Sequence, residues 1–430
     1  MKMNLAVPKI KLLNNLDKTT QHNFKIDATA SIFFALYAGV LYPFFPATAV
    51  RLGIDGILLA LLTASPFMGH IFAVYWGHSS ENKSKRKFVF YSGFISRMLL
   101  IALGLITNST VFAIMIIFHF AIAAAGWPAF TALMQNIYPA KERGRLMGLI
   151  QFIIGICRVA VTYGAGLMID HYGHGRLFII AGISGMIASY IIRKVKDPIE
   201  ITDKSLKKRK FSIKETVKIL KTDKLFRLTM LGFFIFDFGN MLLVPIYPLY
   251  QVNKMGLTNF QIGQLSIFWM IGWFISAPFW GSLNDKKNPL IVIKSAIILF
   301  LISPFIYFMD PIFYILPLAS ITAGAAGSAL EVGWLNQIIK LGKGKSAVYS
   351  GIYLTGLGLR GLIGPLIGGL LINYLSFNNI FVIALMLMAS GLIPFIILKN
   401  YELGKKFKKL ELGFNMRQSD KISWRYSSLK

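Results

Sequence analysis

Cysteine is all but missing. The single one, Cys157, lies inside an apolar run, so the chain can form neither an internal disulfide nor a cysteine zinc cluster. Acids are scarce too: 18 Asp and Glu stand against 46 Lys and Arg in 430 residues, a net charge of +28. Charged residues of both signs make up only 15% of the chain, against roughly 25% in soluble domains. There is no Gly-x-Ser-x-Gly, no His-Glu-x-x-His and no Walker-type Gly-x-x-x-x-Gly-Lys-Ser/Thr. An enzyme, an ATP-driven pump and a resident cofactor or metal are therefore not expected. The RNP, zinc-finger and helix-turn-helix signatures are missing as well, so the positive charge does not mark a nucleic-acid face.

What is abundant is apolar. Hydrophobic residues make up 55% of the chain, and the mean hydropathy is +0.60. A spanning helix needs about 20 largely apolar residues to cross roughly 30 Å of hydrocarbon. Such runs recur at about 28–50, 56–77, 87–107, 110–133, 146–169 and 175–193, and again at about 226–250, 260–282, 288–308, 311–334, 346–373 and 377–398. The expected fold is all-α and membrane-integral, with twelve transmembrane helices in two six-helix bundles. The expected division is a polar segment 1–26, a first bundle 27–193, a linker 194–225, a second bundle 226–399 and a basic tail 400–430. The first 26 residues are polar and Lys-dotted, unlike a signal peptide.

The positive charge sits in alternate loops. Lys83, Lys85, Arg86 and Lys87 follow the second run; Lys141, Arg143 and Arg145 follow the fourth. Lys286 and Lys287 follow the eighth, and Lys340, Lys343 and Lys345 the tenth. The positive-inside rule places these loops, both termini and the linker in the cytoplasm of a multi-pass protein of the cell membrane. In the linker, Ser212 and Glu215 have capping-box spacing ahead of an amphipathic stretch, which predicts a short helix on the inner membrane surface. The basic tail fits attraction to anionic lipid.

The halves repeat at a shift of about 200–204 residues. Phe33, Phe34 and Gly39 match Phe233, Phe234 and Gly239, and Gly77 and Glu81 match Gly281 and Asp285. Gly148 matches Gly351, Gly166 matches Gly369, and Phe178 matches Phe381. Parallel duplication of six helices is a transporter architecture, with the solute site between the halves.

Over about 28–398 the chain resembles the major facilitator superfamily. The loop after the second helix holds that family's Gly-x-x-x-Asp-Arg-x-Gly-Arg-Lys pattern in degraded form, as Gly77, Glu81, Asn82, Ser84, Lys85 and Arg86. The second copy keeps Gly281, Asp285 and Lys286 and departs at Asn288 and Pro289. The eleventh run carries Gly364-Pro365-x-x-Gly368-Gly369, similar to a motif that the family's proton-coupled exporters hold in the fifth helix; here the fifth helix lacks the proline. The resemblance implies a secondary transporter working by alternating access, with these loop residues as a cytoplasmic gate.

Charges within the runs need an account, since one at mid-helix costs about 2.5–3.5 kcal/mol on insertion scales. Counting roughly 1.5 Å per residue from the nearest basic loop puts Asp237 and Arg97 about 15 Å deep, and Arg158 and Arg360 about 20 Å deep. Asp237 is the first proton-coupling candidate and Glu331 the second. Arg97, Arg158, Arg360, His119 and Asn240 are candidates for the solute cavity. Arg158 and Arg360 are 202 residues apart, the repeat shift, and two guanidiniums facing one cavity would suit an anionic solute. A local Asp237–Arg360 ion pair is the structural alternative. For His119 the alternative is a packed, hydrogen-bonded ring. The expected partners are a small-molecule solute, protons or another coupling ion, and the bilayer; a monomer is expected. The lead function is transport of a small organic solute, possibly anionic and proton-coupled. Export of lipophilic compounds or drugs and a solute-sensing receptor with the transporter fold stand beside it.

Overall fold

The computed structural model describes residues 16–72, 75–76, 79–80, 84–197, 213–342 and 346–400. These residues fold as helices, with no strand among them. Six helices come first: α1 (Lys18–Arg51), α2 (Gly56–Ile71), α3 (Lys85–Leu103), α4 (Ser109–Ile137), α5 (Arg143–Tyr172) and α6 (His174–Ile192). The linker helix α7 (Ile213–Thr222) follows. Then come α8 (Lys224–Leu242), α9 (Asn259–Lys286), α10 (Pro289–Phe308), α11 (Leu316–Gly342), α12 (Ser346–Leu371) and α13 (Phe377–Ser390). The eighth runs on to Lys254 through a π-helical turn, and the last to Asn400.

Ten of these helices are long and apolar enough to cross a membrane. The other two spans are α2, which is apolar but 16 residues long, and α3, which carries Lys85, Arg86, Lys87 and Arg97. Together they make the twelve-helix fold expected from hydropathy. The first helix starts ten residues ahead of its apolar run. The Asp17 carboxylate caps it by accepting from the Thr19 and Thr20 amides at 2.9 Å each. Asn23 then exchanges two hydrogen bonds with the Lys196 backbone, and Phe24 is fully buried. This polar turn belongs to the bundle because its partners come from the far end of the same half. Ser212 and the tail 401–430 lie outside the described residues. Within the linker helix, Ile219 is buried against the second half.

The duplication is visible in the packing. In the first half α1 packs on α5 and α6, α2 on α4, and α3 on α4 and α6. In the second half α8 packs on α12 and α13, α9 on α11, and α10 on α11 and α13. Each pair in one half has its equivalent in the other, seven labels later. Between the halves, α5 meets α9 and α2 meets α12. The loops before α2 and α9 repeat as well. Gly53 and Gly256, 203 residues apart, both take positive φ (80° and 63°), which a Cβ would disfavour. Ile54 and Leu257 behind them are both buried. These loops lie at the end of the bundle opposite Lys85, Arg86, Lys141 and Lys286, called here the far end and the basic end.

Small residues bring helix backbones together, as packing in lipid favours. A methyl added at Gly324 on α11 would collide with the Trp269 carbonyl on α9, and one at Gly272 with the Ile321 carbonyl. Gly324→Val is therefore expected to lower the thermal midpoint of the purified protein, at a cost of about 1–3 kcal/mol from overpacking. Gly164→Ala, where the new methyl meets nothing within 4 Å, should hold or slightly raise it. Equal midpoints for the two variants would contradict the close approach of α9 and α11.

Candidate functional site

The second half neutralises its buried charge. Arg360 on α12 donates from Nε to Asp237 Oδ2 on α8 at 2.5 Å, and both residues are buried. Asn240, one turn along α8, donates from Nδ2 to the other carboxylate oxygen at 3.1 Å. The guanidinium lies 5.2 Å from the centre of the Tyr353 ring, which in turn stacks on Trp334. Three sequence candidates, Asp237, Asn240 and Arg360, are thus brought together. Glu331, exposed one turn before Trp334, lies near Tyr353 but makes no ion pair with Arg360 among the described residues.

In the first half two embedded guanidiniums, Arg97 and Arg158, have no acid within ion-pair distance among the described residues. A cavity of about 410 Å³ opens between α1, α3, α4, α5 and α6, and Arg97 and Arg158 both line it. The Arg97 guanidinium sits 4.8 Å from the Tyr37 ring centre and donates to Ser189 Oγ at 3.1 Å. Gly93 and Gly185 make its space, since a Cβ on either would strike the Arg97 side chain. Arg158 lies 5.8 Å from the Tyr42 ring centre, and the Tyr37 and Tyr42 rings are 6.3 Å apart. The two cations therefore flank one tyrosine pair. Such cation–π contacts stabilise a guanidinium by roughly 0.5–2 kcal/mol, less than a full ion pair inside hydrocarbon. Both Nε atoms are buried without a hydrogen-bond partner. Much of the rest of the wall is apolar and aromatic, including Phe34, Trp127, Phe130 and Met147, with Asp27, Ser31, Ser92 and Gln151 as further polar lining.

Arg158 and Arg360 occupy equivalent helices but do not face a shared cavity. Asp237 is the reason. At the 200-residue shift that aligns Phe33 with Phe233, its counterpart is Tyr37, so α1 offers Arg158 no carboxylate. His119 is fully buried, with Nδ1 at 2.7 Å from the Ser96 carbonyl and Nε2 at 2.8 Å from the Tyr37 hydroxyl. A carbonyl only accepts, so Nδ1 carries the proton and Nε2 accepts from Tyr37. This neutral ring orients the tyrosine under Arg97.

Of the loop-motif residues, Gly77 and Glu81 lie outside the described residues. Lys85 donates to the Ser80 carbonyl at 2.5 Å, and Arg86 to the Val195 carbonyl at 3.2 Å, both within the first half. Asp285 and Lys286 are exposed, and the space beside Gly281 is open.

Two features escaped the sequence reading. The first is Asp27 on α1, which lines the basic end of the cavity and accepts from the Tyr138 hydroxyl at 2.7 Å. It sits one residue before the apolar run, so a depth count from the run's edge left it outside. The second is a latch at the far end. Asp170, at the end of α5, accepts from the Asn259 and Phe260 amides at 2.9 Å each and from Asn259 Nδ2 at 2.8 Å. Its carboxylate thus caps α9 from the other half, where the helix dipole favours an anion. Arg51 donates to Asn259 Oδ1 and, at 2.5 Å, to the Leu257 carbonyl. No local sequence pattern marks a cap supplied from 89 residues away.

A model of the Major Facilitator Superfamily matches residues 28–303 and 229–426. The chain belongs to this superfamily. It is 28% identical over 137 residues to the quinolone resistance protein NorA of Staphylococcus aureus, and 30% identical over 159 residues to the multidrug resistance protein MdtG of Proteus mirabilis. These stretches cover 32% and 35% of this chain, and only 35% and 39% of the two relatives. The fold is similar to that of the nucleoside transporter NupG, with a TM-score of 0.69 at 11% identity over 87% of this chain and 98% of that one. It is also similar to a bacterial homologue of the human lysosomal transporter Spinster in an inward-facing, occupied conformation. There the TM-score is 0.66 at 12% identity, over 90% of this chain and 98% of that one. The protein is therefore a multi-pass membrane protein of this superfamily.

The latch makes a conformational prediction for this superfamily member. Asp170→Asn loses the charge in three hydrogen bonds, each worth roughly 1.5–3 kcal/mol when ionic. A thiol placed in the cavity, in a Cys157→Ser background, should then react about tenfold faster with an impermeant maleimide from the far end. Unchanged labelling would contradict a latch.

Proposed function

We propose that the chain is a secondary active transporter of a small amphipathic organic anion, working by alternating access and coupled to protons. The observation that carries this reading is the pair of cavity-lining guanidiniums, Arg97 and Arg158, with no carboxylate within ion-pair distance among the described residues. An ion-paired arginine is scaffold; an unpaired one in a cavity recruits an acid from the solute. The aromatic and apolar walls would hold the rest of the molecule, and the volume suits a drug-sized ligand.

In this reading the basic end faces the cytoplasm of the plasma membrane, as the positive-inside rule requires. The far-end latch keeps the outer side shut and the cavity accessible from within. The exchange of protons falls to Asp237. In this state the carboxylate is held by Arg360 and Asn240. A rocking motion that drew α8 from α12 would take the guanidinium away and raise the proton affinity of the buried carboxylate. The gate at the basic end would use Asp285, Lys286, Lys85 and Arg86 once the halves close there.

A second reading, export of lipophilic compounds, draws support from the apolar cavity and from the partial likeness to two resistance proteins. One experiment separates the two. In proteoliposomes with an imposed pH gradient, an aromatic carboxylate such as biphenyl-4-carboxylate is expected to stimulate proton flux. Arg158→Ala should reduce that response about tenfold or more, and Asp237→Asn should abolish proton flux while binding persists. Response to neutral lipophiles that is indifferent to Arg158→Ala would favour the second reading. Full proton coupling in the Asp237→Asn protein would refute the assignment of that residue.

A further inference from the structure

The cavity of the first half is charged at both ends, with opposite signs. Arg97 and Arg158 stand at its deep end beside the Tyr37–Tyr42 pair. Asp27 stands at its basic end, with 3% of its surface exposed, and lines the same cavity. The Tyr138 hydroxyl donates to it at 2.7 Å and the Ser31 side chain also bonds to it, but no cation lies within ion-pair distance of it among the described residues. Asp27 is the lone acid on α1. Tyr138 is itself buried, so the carboxylate is fixed against the wall rather than swung out into water. A carboxylate held at this depth without a counter-charge is as costly as an unpaired guanidinium, and it asks for the opposite complement.

The spacing between the two ends is set by α1. Tyr37, under the Arg97 guanidinium, lies ten residues beyond Asp27 on one helix, which is about 15 Å of rise. Between them the cavity wall is mainly apolar and aromatic, with Phe34 and Ala30 on α1 and Trp127 and Phe130 on α4, and Ser31, Ser92 and Gln151 are its polar members. The arrangement is an apolar slot with an anion socket at one end and a cation socket at the other.

We infer that this transporter selects zwitterionic amphipaths, holding the acid of the solute at Arg97 and Arg158 and its ammonium at Asp27. The inference rests on the anion reading of the two arginines and adds the other end of the solute to it. Asp27 becomes a specificity-determining residue. An organic acid with a neutral tail fills half of the recognition, and a rigid body about one biphenyl long joins both halves.

The test uses three probes on the full-length purified protein in detergent, read by calorimetric binding: biphenyl-4-carboxylate, the same acid with a 4′-hydroxymethyl group, and the same acid with a 4′-aminomethyl group. The aminomethyl acid is expected to bind the wild-type protein at least about tenfold more tightly than the hydroxymethyl acid. Asp27→Asn, which keeps the shape and can still accept from Tyr138, should bring the two to within about twofold. Equal affinities for the two substituted acids in the wild-type protein would overturn the inference with no variant needed. A preference for the ammonium that survives Asp27→Asn would also overturn it, and would leave the arginine reading standing. Failure of all three acids to bind would remove the arginine reading and this inference together.

Discussion

Hydrocarbon is a costly place for an ionised side chain, and this protein carries three guanidiniums into it. Each would cost about 2.5–3.5 kcal/mol at a helix centre by insertion scales, and each is treated differently. Arg360 has a complete counter-ion in Asp237, with Asn240 filling the second oxygen. Arg97 has one hydroxyl and an aromatic face, and Arg158 has an aromatic face alone. The series runs from a closed ion pair to an open cation, and in the proposed function it separates the scaffold of the second half from the binding wall of the first. Duplication set equivalent arginines on α5 and α12. The difference at one position, Tyr37 against Asp237, gives them different surroundings.

The same economy of charge joins the halves. Asp170 is placed where the first amides of α9 have no partners in their own helix, so one carboxylate satisfies both ends of the problem. The equivalent junction, between α12 and α2, has Asn373 beside Gly56 in place of the acid. A neutral amide there makes the weaker of two pseudo-equivalent contacts. Closing one end of a two-bundle transporter with a few strong, local bonds suits a molecule that must release them in each cycle. A continuous apolar seam would be far harder to open.

Much of the fold is legible in the amino-acid order because hydrophobic length is a hard constraint in lipid. Twelve runs and the six-plus-six repeat follow from it, and even α3, with four cations, stands out by its flanks. For the same reason the sequence allows a depth to be counted for Asp237, Arg97, Arg158 and Arg360. Their partners are not. Whether Arg360 meets Asp237 or faces a cavity depends on the rotation of α8 against α12, which no spacing within either helix records. Asp27 was hidden by an edge effect: the polar turn ahead of the apolar run is tied to Lys196 and so enters the bundle. Asp170 and Arg51 sit in ordinary helix-end sequence, and only the meeting of α5 with α9 makes a latch of them.

The most direct test of the central claim is to find where an aromatic acid sits. Photolabelling with benzophenone-4-carboxylate, followed by peptide mapping, is expected to mark the cavity walls of the first half, Met134 and Met147 foremost, and to be competed by unlabelled biphenyl-4-carboxylate. Labelling confined to the second half or to the outer flanks of the bundle, or labelling in the cavity that survives Arg97→Ala with Arg158→Ala, would contradict it.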